Sequence, residues 1–415
     1  MEEKEVIENL SAAAADTIFI KDKEEPLSLT DKPDKDFSVA TSFNNSGRNS
    51  RTSVEVGKNI WDEKWKVPLE DDEASPGQIL FCKDRIIVYS DTQWQLFSSE
   101  GKKIASGGLG HSEVYMDKSN DVFYFSDYNG LVQARNLKDG SHRFSMFAMY
   151  GNSYRRSMFH TKDNFIYIFS IEQQEDPHGN HVRNSSVLEL LDIGKPIVVD
   201  DKGYLESAHR MNTISFRSID VVAASTNETW VAAAPGHIII ADKNLNIKKV
   251  LKEEFVPQAI SLDQSGKIYL IVSTNDKDGT TKTSLWIITP DGERLMNLTL
   301  PDNPVERYFP AVIGYESNIF IPYGNKILSY NIKTKKLTEK IIEMPFGGAC
   351  IDSKDLLVIA SGKMIYTLNE SGEINYLTHV ENDKLTTNPV FIDSDHLICA
   401  SDQFLYCFVR GQKIN

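Results

Sequence analysis

The residues best equipped for chemistry in this chain are arginine, histidine and tyrosine in short irregular stretches: His111, Tyr154-Arg155-Arg156, His209-Arg210, Arg217 and Arg307-Tyr308. Arginine offers a planar fork of donors that matches a carboxylate or phosphate two bonds at a time. Brought together in a chain of formal net charge −14, these residues would hold an anionic group rather than break a bond. The competing use is structural, with the guanidinium groups bonding carbonyls between neighbouring repeats and stacking on tyrosines.

Other candidates carry less. His178-Gly179-Asn180-His181 with Asp176 could chelate a metal, but the segment supplies no third ligand in register, so no metal site is expected. The cysteines at 82, 350, 399 and 407 form no CxxC pair and sit inside apolar strand patterns. They read as buried free thiols, which suits a reducing compartment. There is no glycine-rich phosphate loop, nucleophile elbow or HExxH. Hence no catalytic residue and no cofactor are assigned.

The elements that must position these residues are strands. Eight apolar runs recur: Arg85–Tyr89, Asp121–Phe125, Phe165–Phe169, Thr229–Ala233, Lys267–Ile271, Asn318–Ile321, Asp355–Ile359 and His396–Ala400. Turns rich in Asp, Asn, Ser and Lys precede them, such as Asp263-Gln-Ser-Gly266 and Asp352-Ser-Lys354. A second set, including Leu137-Lys-Asp-Gly140, Pro290-Asp-Gly292 and Asn369-Glu-Ser-Gly372, falls later in each repeat. Such side chains bond the local backbone and tolerate left-handed dihedrals, so they close tight hairpins. Four strands in a period of about 40–45 residues predict an all-β, eight-bladed β-propeller, with seven blades as the fallback count.

The two ends agree. Pro389–Arg410 supplies three strands, and Ile60–Leu69 is an isolated strand with no hairpin partner, so it closes the ring against Phe404–Val409. The domain division expected is a disordered leader over 1–57, with at most one short helix, and a propeller over 58–415. The leader mixes charge, Pro, Gly and Ser with few large apolar residues.

In a propeller blade, the loops from strand four to the next strand one and from strand two to strand three share one face, here called the top. The arginine–histidine–tyrosine stretches fall in the first kind of loop, and Glu172–Arg183 in the second. A convergent top-face cluster of His111, Tyr154, Arg155, Arg156, His209, Arg210, Arg307 and Tyr308 is therefore predicted.

Two phrases, Leu131-Val-Gln-Ala-Arg-Asn-Leu-Lys-Asp-Gly140 and Ile327-Leu-Ser-Tyr-Asn-Ile-Lys-Thr-Lys335, resemble half-repeats of quinoprotein-like (PQQ-like) propellers, and Ser261–Ser273 resembles an NHL repeat. The resemblance covers about residues 60–410 and implies architecture only. The five tryptophans, at 61, 65, 94, 230 and 286, share no blade position, and the adjacent cysteines of quinoprotein dehydrogenases are missing. Cofactor binding does not carry over.

The net charge argues against general affinity for nucleic acid. No run reaches the roughly 20 apolar residues of a membrane span. Met1-Glu-Glu-Lys-Glu5 lacks the basic and apolar regions of a signal peptide, so a cytoplasmic location is expected, or a secreted or periplasmic one if a leader has been removed. The expected function is a non-catalytic scaffold that holds a protein partner through an acidic or phosphorylated segment. The alternative is a lyase or hydrolase acting at the central channel with a divalent ion, and the third reading is a small-molecule sensor.

Overall fold

The computed structural model describes residues 16–22, 52–57, 59–70, 77–110, 113–117, 120–126, 131–147, 158–162, 165–175, 181–192, 204–205, 209–216, 218, 221–226, 229–275, 279–301, 308–315, 317–343 and 346–411. They form eight sheets, each built on four antiparallel strands, in the connectivity of an eight-bladed β-propeller. Blades one to seven span 78–108, 115–147, 158–216, 222–252, 256–299, 312–341 and 346–379. Blade eight takes its first three strands, Val390–Phe391, His396–Ala400 and Phe404–Arg410, from the end of the chain and its outer strand, Trp61–Pro68, from near the start.

The predicted turns work as expected. Asp263 Oδ1 accepts the Lys267 N–H (3.0 Å), Asp352 Oδ1 accepts those of Lys354 and Leu356 (both 2.8 Å), and Asn369 Oδ1 accepts those of Ser371 (3.1 Å) and Glu373 (2.8 Å). Each carboxylate or amide thereby satisfies backbone donors that a tight turn leaves unpaired. Asp355 does the same across a blade junction, accepting N–H bonds from Tyr315 (2.5 Å), Ser317 (3.0 Å) and Asn318 (3.3 Å) of blade six.

Between blades the contact is apolar. Trp94 stands edge-on to Phe123 of blade two, Trp230 lies against Tyr167 of blade three, and Trp286 stands edge-on to Phe255 in the link between blades four and five, with centroids 4.9, 5.1 and 5.3 Å apart. The closing strand has a bulge between Glu63 and Trp65. That extra residue turns the two tryptophans to opposite faces. Trp61 seals the junction with blade seven beside Phe391 and Cys350, and Trp65 packs on the blade-one side, its ring against Gly101.

Three features differ from expectation. The stretch Glu172–Arg183 is mostly strand: Phe165–Glu175 and His181–Asp192 pair along almost their whole length, so the segment extends a hairpin instead of forming a broad loop. Blades two, four and five carry an additional outer strand, laid parallel in each case. Finally, two stretches of the 1–57 leader lie against the ring. Asp16–Phe19 and Lys21–Asp22 supply the added strands of blades four and five. Residues 52–56 reach blade seven: Thr52 N–H donates to Ile351 O (2.8 Å), Ser353 N–H to Val54 O (3.0 Å) and Val56 N–H to Asp352 Oδ2 (3.0 Å). Val54 and Val56 are buried there, which four polar neighbours in sequence had disguised. The rest of the leader lies outside the described residues.

Candidate functional site

The predicted top-face cluster does not assemble as drawn. His111, Tyr154, Arg155, Arg156, Arg217 and Arg307 lie outside the described residues. His209 and Arg210 are not in a loop after a fourth strand. They begin the fourth strand of blade three, His209–Phe216, and pair with Asp192 and Leu191 at the opposite, bottom end. The sequence reading put this pair in a top-face loop, whereas the fourth strand of blade three starts with it. Tyr308 is buried at 2 % exposure, stacks on Tyr323 (5.0 Å) and donates its hydroxyl to Pro301 O (2.7 Å). It is a core residue of blade six.

The five arginines with described side chains adopt the structural use. Arg85 Nε donates to Leu137 O (3.1 Å), Arg143 Nη1 to Asn120 O (2.8 Å) and Arg410 Nη2 to Glu55 O (3.1 Å). Arg135, Arg294 and Arg410 lie over the rings of Trp94, Trp286 and Trp61, at 5.5, 4.7 and 5.3 Å. One of them does something more.

Arg294 sits on the outer strand of blade five, Glu293–Thr299, with its side chain only 11 % exposed. Its Nη1 donates to both oxygens of Glu253 (2.9 and 3.1 Å), and its Nε donates to Asp22 Oδ1 (2.6 Å). The guanidinium also lies over the Trp286 ring, so contacts other than Asp22 orient the fork. The hydrogen bond from Arg294 holds the Asp22 carboxyl below its usual 3.8, although partial burial opposes this. Two residues earlier, Ile20 packs into the apolar junction of blades four and five, whose core includes Leu251, Phe255 and Trp286. Before that, Asp16–Phe19 pairs with Lys249–Lys252 of the outer strand of blade four. Lys248, Lys249 and Lys252 lie on that strand, Ile247–Lys252, the first two ion-paired with Asp242 (3.2 Å) and Asp291 (3.0 Å). A seven-residue extended segment thus crosses from one blade to the next, held by main-chain ladders, one apolar side chain and one carboxylate. This mode is strand addition at a sheet edge, in which backbone bonds give affinity and alternate side chains give selectivity.

Sequence reasoning missed this site because it searched loops. The available signal was Thr17-Ile-Phe-Ile20, a β-branched and aromatic run within an otherwise polar leader.

The central channel shows different chemistry. Where the first strands of blades six, seven, eight and one begin, the lining includes Phe309, Pro310, Phe346, Gly347 and Gln78. Among the described residues, no group of three or more His, Cys, Asp or Glu is arranged to hold a metal. The four cysteines are buried and unpaired in disulfides. Burial pushes the thiols of Cys399 and Cys407 up to about 12, so neither is a nucleophile near neutrality. No helix among the described residues is long and apolar enough to cross a membrane.

No protein-family model matches the chain, and no curated protein matches it either. Among solved structures it is similar to BamB from Moraxella catarrhalis, with a TM-score of 0.57 and 12 % identity over 84 % of this chain and 100 % of that one. Saccharomyces cerevisiae Sqt1 gives 0.54 and 11 % over 88 % and 100 %, and the Dos1 propeller gives 0.57 and 9 % over 85 % and 96 %. The likeness is one of fold, and these neighbours are β-propellers.

Proposed function

We propose that this protein is a non-catalytic interaction module that holds extended polypeptide segments on the outer edges of its blades. The observation that carries this reading is the seating of Asp16–Asp22 across blades four and five, on edges that already belong to complete four-stranded sheets. That segment is not needed to finish either blade, and its seating supports reading these edges as acceptors of extended segments. Arg294, which takes Asp22 on its Nε, favours a partner segment that carries a carboxylate, as the sequence suggested for the top face. The propeller neighbours support a protein-binding role in general terms. Four buried free thiols support a reducing, cytoplasmic setting.

The test uses the full-length chain carrying Ile20→Asp and Asp22→Lys, which evict the native segment from its edge. A fluorescent peptide of residues 14–24 is titrated into it and anisotropy is followed. Saturable binding is expected in the micromolar to submillimolar range, weakened about fivefold by Arg294→Ala, the worth of one well-oriented ion pair of about 1 kcal/mol. Absence of binding at millimolar peptide would overturn the reading.

A further inference from the structure

The outer edges of blades seven and eight border a groove of about 600 Å3. Its walls come from the last strand of blade seven, Ile374–His379, and from the closing strand, Trp61–Pro68. Each is the outermost strand of its sheet and carries no added strand among the described residues, unlike the outer strands of blades four and five. Such an edge presents backbone donors and acceptors that another extended chain can pair with. Two of the five exposed large apolar side chains of the described surface, Ile60 (64 %) and Tyr376 (63 %), fall in this one groove. Apolar side chains gathered in this way mark a contact surface, whereas the same residues scattered singly would not.

The groove is also negative. Asp62, Glu63 and Glu381 line it and are exposed, and their carboxylates have no ion-pair or hydrogen-bond partner among the described residues. Tyr406, another lining residue, donates its hydroxyl to a fourth carboxylate, Asp383 (2.7 Å). Burial, that bond and the nearby Glu63 push the Tyr406 phenol above its usual value. The basic lining residues are Lys66, whose ammonium lies over the Phe404 ring at 5.2 Å, and His379. Lys64, also on the closing strand, is taken up by His396 Nε2 at 2.9 Å.

We infer that this groove seats an extended segment of a partner polypeptide in which one aromatic or large aliphatic side chain is flanked by lysine or arginine. The mode rests on the edge-holding reading above, and the chemistry is its reverse: blade five offers an arginine to a carboxylate, whereas this groove offers carboxylates to a cation. The seated Asp16–Asp22 supplies the geometry, with its backbone on two neighbouring outer strands and Ile20 in the junction between them. A segment spanning blades seven and eight in that manner sets its apolar side chain against Ile60 and Tyr376. Residues two apart share a face of an extended chain, so cations two positions to either side of the apolar residue accompany it to the carboxylates. A second copy of this chain fits poorly, because its formal net charge of −14 meets those carboxylates with like charge.

The experiment titrates the full-length protein with rhodamine-labelled Thr-Arg-Thr-Phe-Thr-Arg-Thr, followed by anisotropy, beside one version with Glu for both Arg and one with Ser for Phe. Saturable binding of the first peptide is expected at about 0.1–1 mM. The serine version and the Tyr376→Ser protein should each weaken it about fivefold, and the triple variant Asp62→Asn, Glu63→Gln, Glu381→Gln about tenfold. All these positions are exposed, so the variants should melt within about 1 °C of the parent. Undiminished binding to the triple variant would mean general attraction to an acidic surface and would overturn the groove. Equal binding of the Arg and Glu peptides, no binding at about 5 mM, or indifference to both Tyr376→Ser and the loss of Phe would overturn it too. A dimer in sedimentation velocity that Tyr376→Ser abolishes would name a second copy as the occupant and overturn the partner assigned here. The peptide of residues 14–24 reads the edge of blades four and five through Arg294, so its failure and the failure of this peptide are separate results.

Discussion

Two pieces of the chain's early part join the ring as strands, and they do so in opposite ways. Trp61–Pro68 is antiparallel to Phe404–Arg410 and completes a blade that otherwise has three strands. Asp16–Phe19 and Lys21–Asp22 are parallel and are added to blades that are already complete. The first buries Trp61 to 1 % exposure and seals two junctions through its bulge. The second places one half-buried isoleucine in a junction and one exposed carboxylate on an arginine. Completing a sheet and decorating one use the same backbone bonds, but only the first closes the core. Strand 61–68 therefore completes the fold, whereas segment 16–22 is added to blades that are complete without it.

The largest effect expected follows from the first strand. Deleting residues 58–70 should leave blade eight with an open edge and two unsealed junctions, giving aggregated protein by size-exclusion chromatography. A monodisperse, cooperatively unfolding product would erase the distinction between the two strands. Trp61→Ala, a milder version, should cost about 3–5 kcal/mol in denaturant unfolding, as for other buried tryptophans.

Between these extremes lies the 52–56 stretch. Asp352 is fully buried and binds three backbone N–H groups, one of them that of Val56. Asp352→Ala would strand those donors and loosen Val54 and Val56, for a loss of about 2–4 kcal/mol. Burial raises the Asp352 carboxyl above its usual value in spite of those bonds. A folded pKa above the unfolded one means that this group favours folding more as pH falls through the folded value toward 3.8, and adds nothing further below that. The Asp352→Ala cost should therefore be larger at pH 4 than at pH 7 in parallel denaturant titrations.

The comparison also shows what a sequence can reveal. Blade number, ring closure and turn chemistry were legible because each rests on local periodicity: His396–Ala400 and Arg85–Tyr89 appear as strands with the predicted bounds. The sites were less legible because they depend on which distant residues meet. Arg294 looked like any strand arginine until Trp286, Glu253 and Asp22 came together around it. Tyr308 was misassigned because a tyrosine beside an arginine resembles a rim and a buried hydroxyl bonded to Pro301 leaves no trace in sequence.

The smallest effect expected concerns the last contact of the decorating strand. Asp22 is 75 % exposed at its side chain, so its bond to Arg294 stabilises the attachment by no more than about 1 kcal/mol. Because Arg294 lowers the Asp22 pKa, this contribution is fully present above the usual 3.8 and disappears as pH falls below it through the folded value. Salt acts in the same direction, since exposed charges are screened beyond about 8 Å at physiological ionic strength. Hydrogen exchange at the outer strand of blade five should therefore quicken a few-fold, after correction for intrinsic rates, between pH 5 and pH 3 or between low and high salt at pH 7, the change that a contact of about 1 kcal/mol gives. Amides of Trp61–Pro68 should show no matching change in salt. Asp22→Asn should remove both dependences and leave the ring's melting temperature within about 1 °C of the parent. Equal salt sensitivity in the two strands would mean that segment 16–22 is tied to the ring as firmly as the closing strand, and the division between closing and decorating strands would fall.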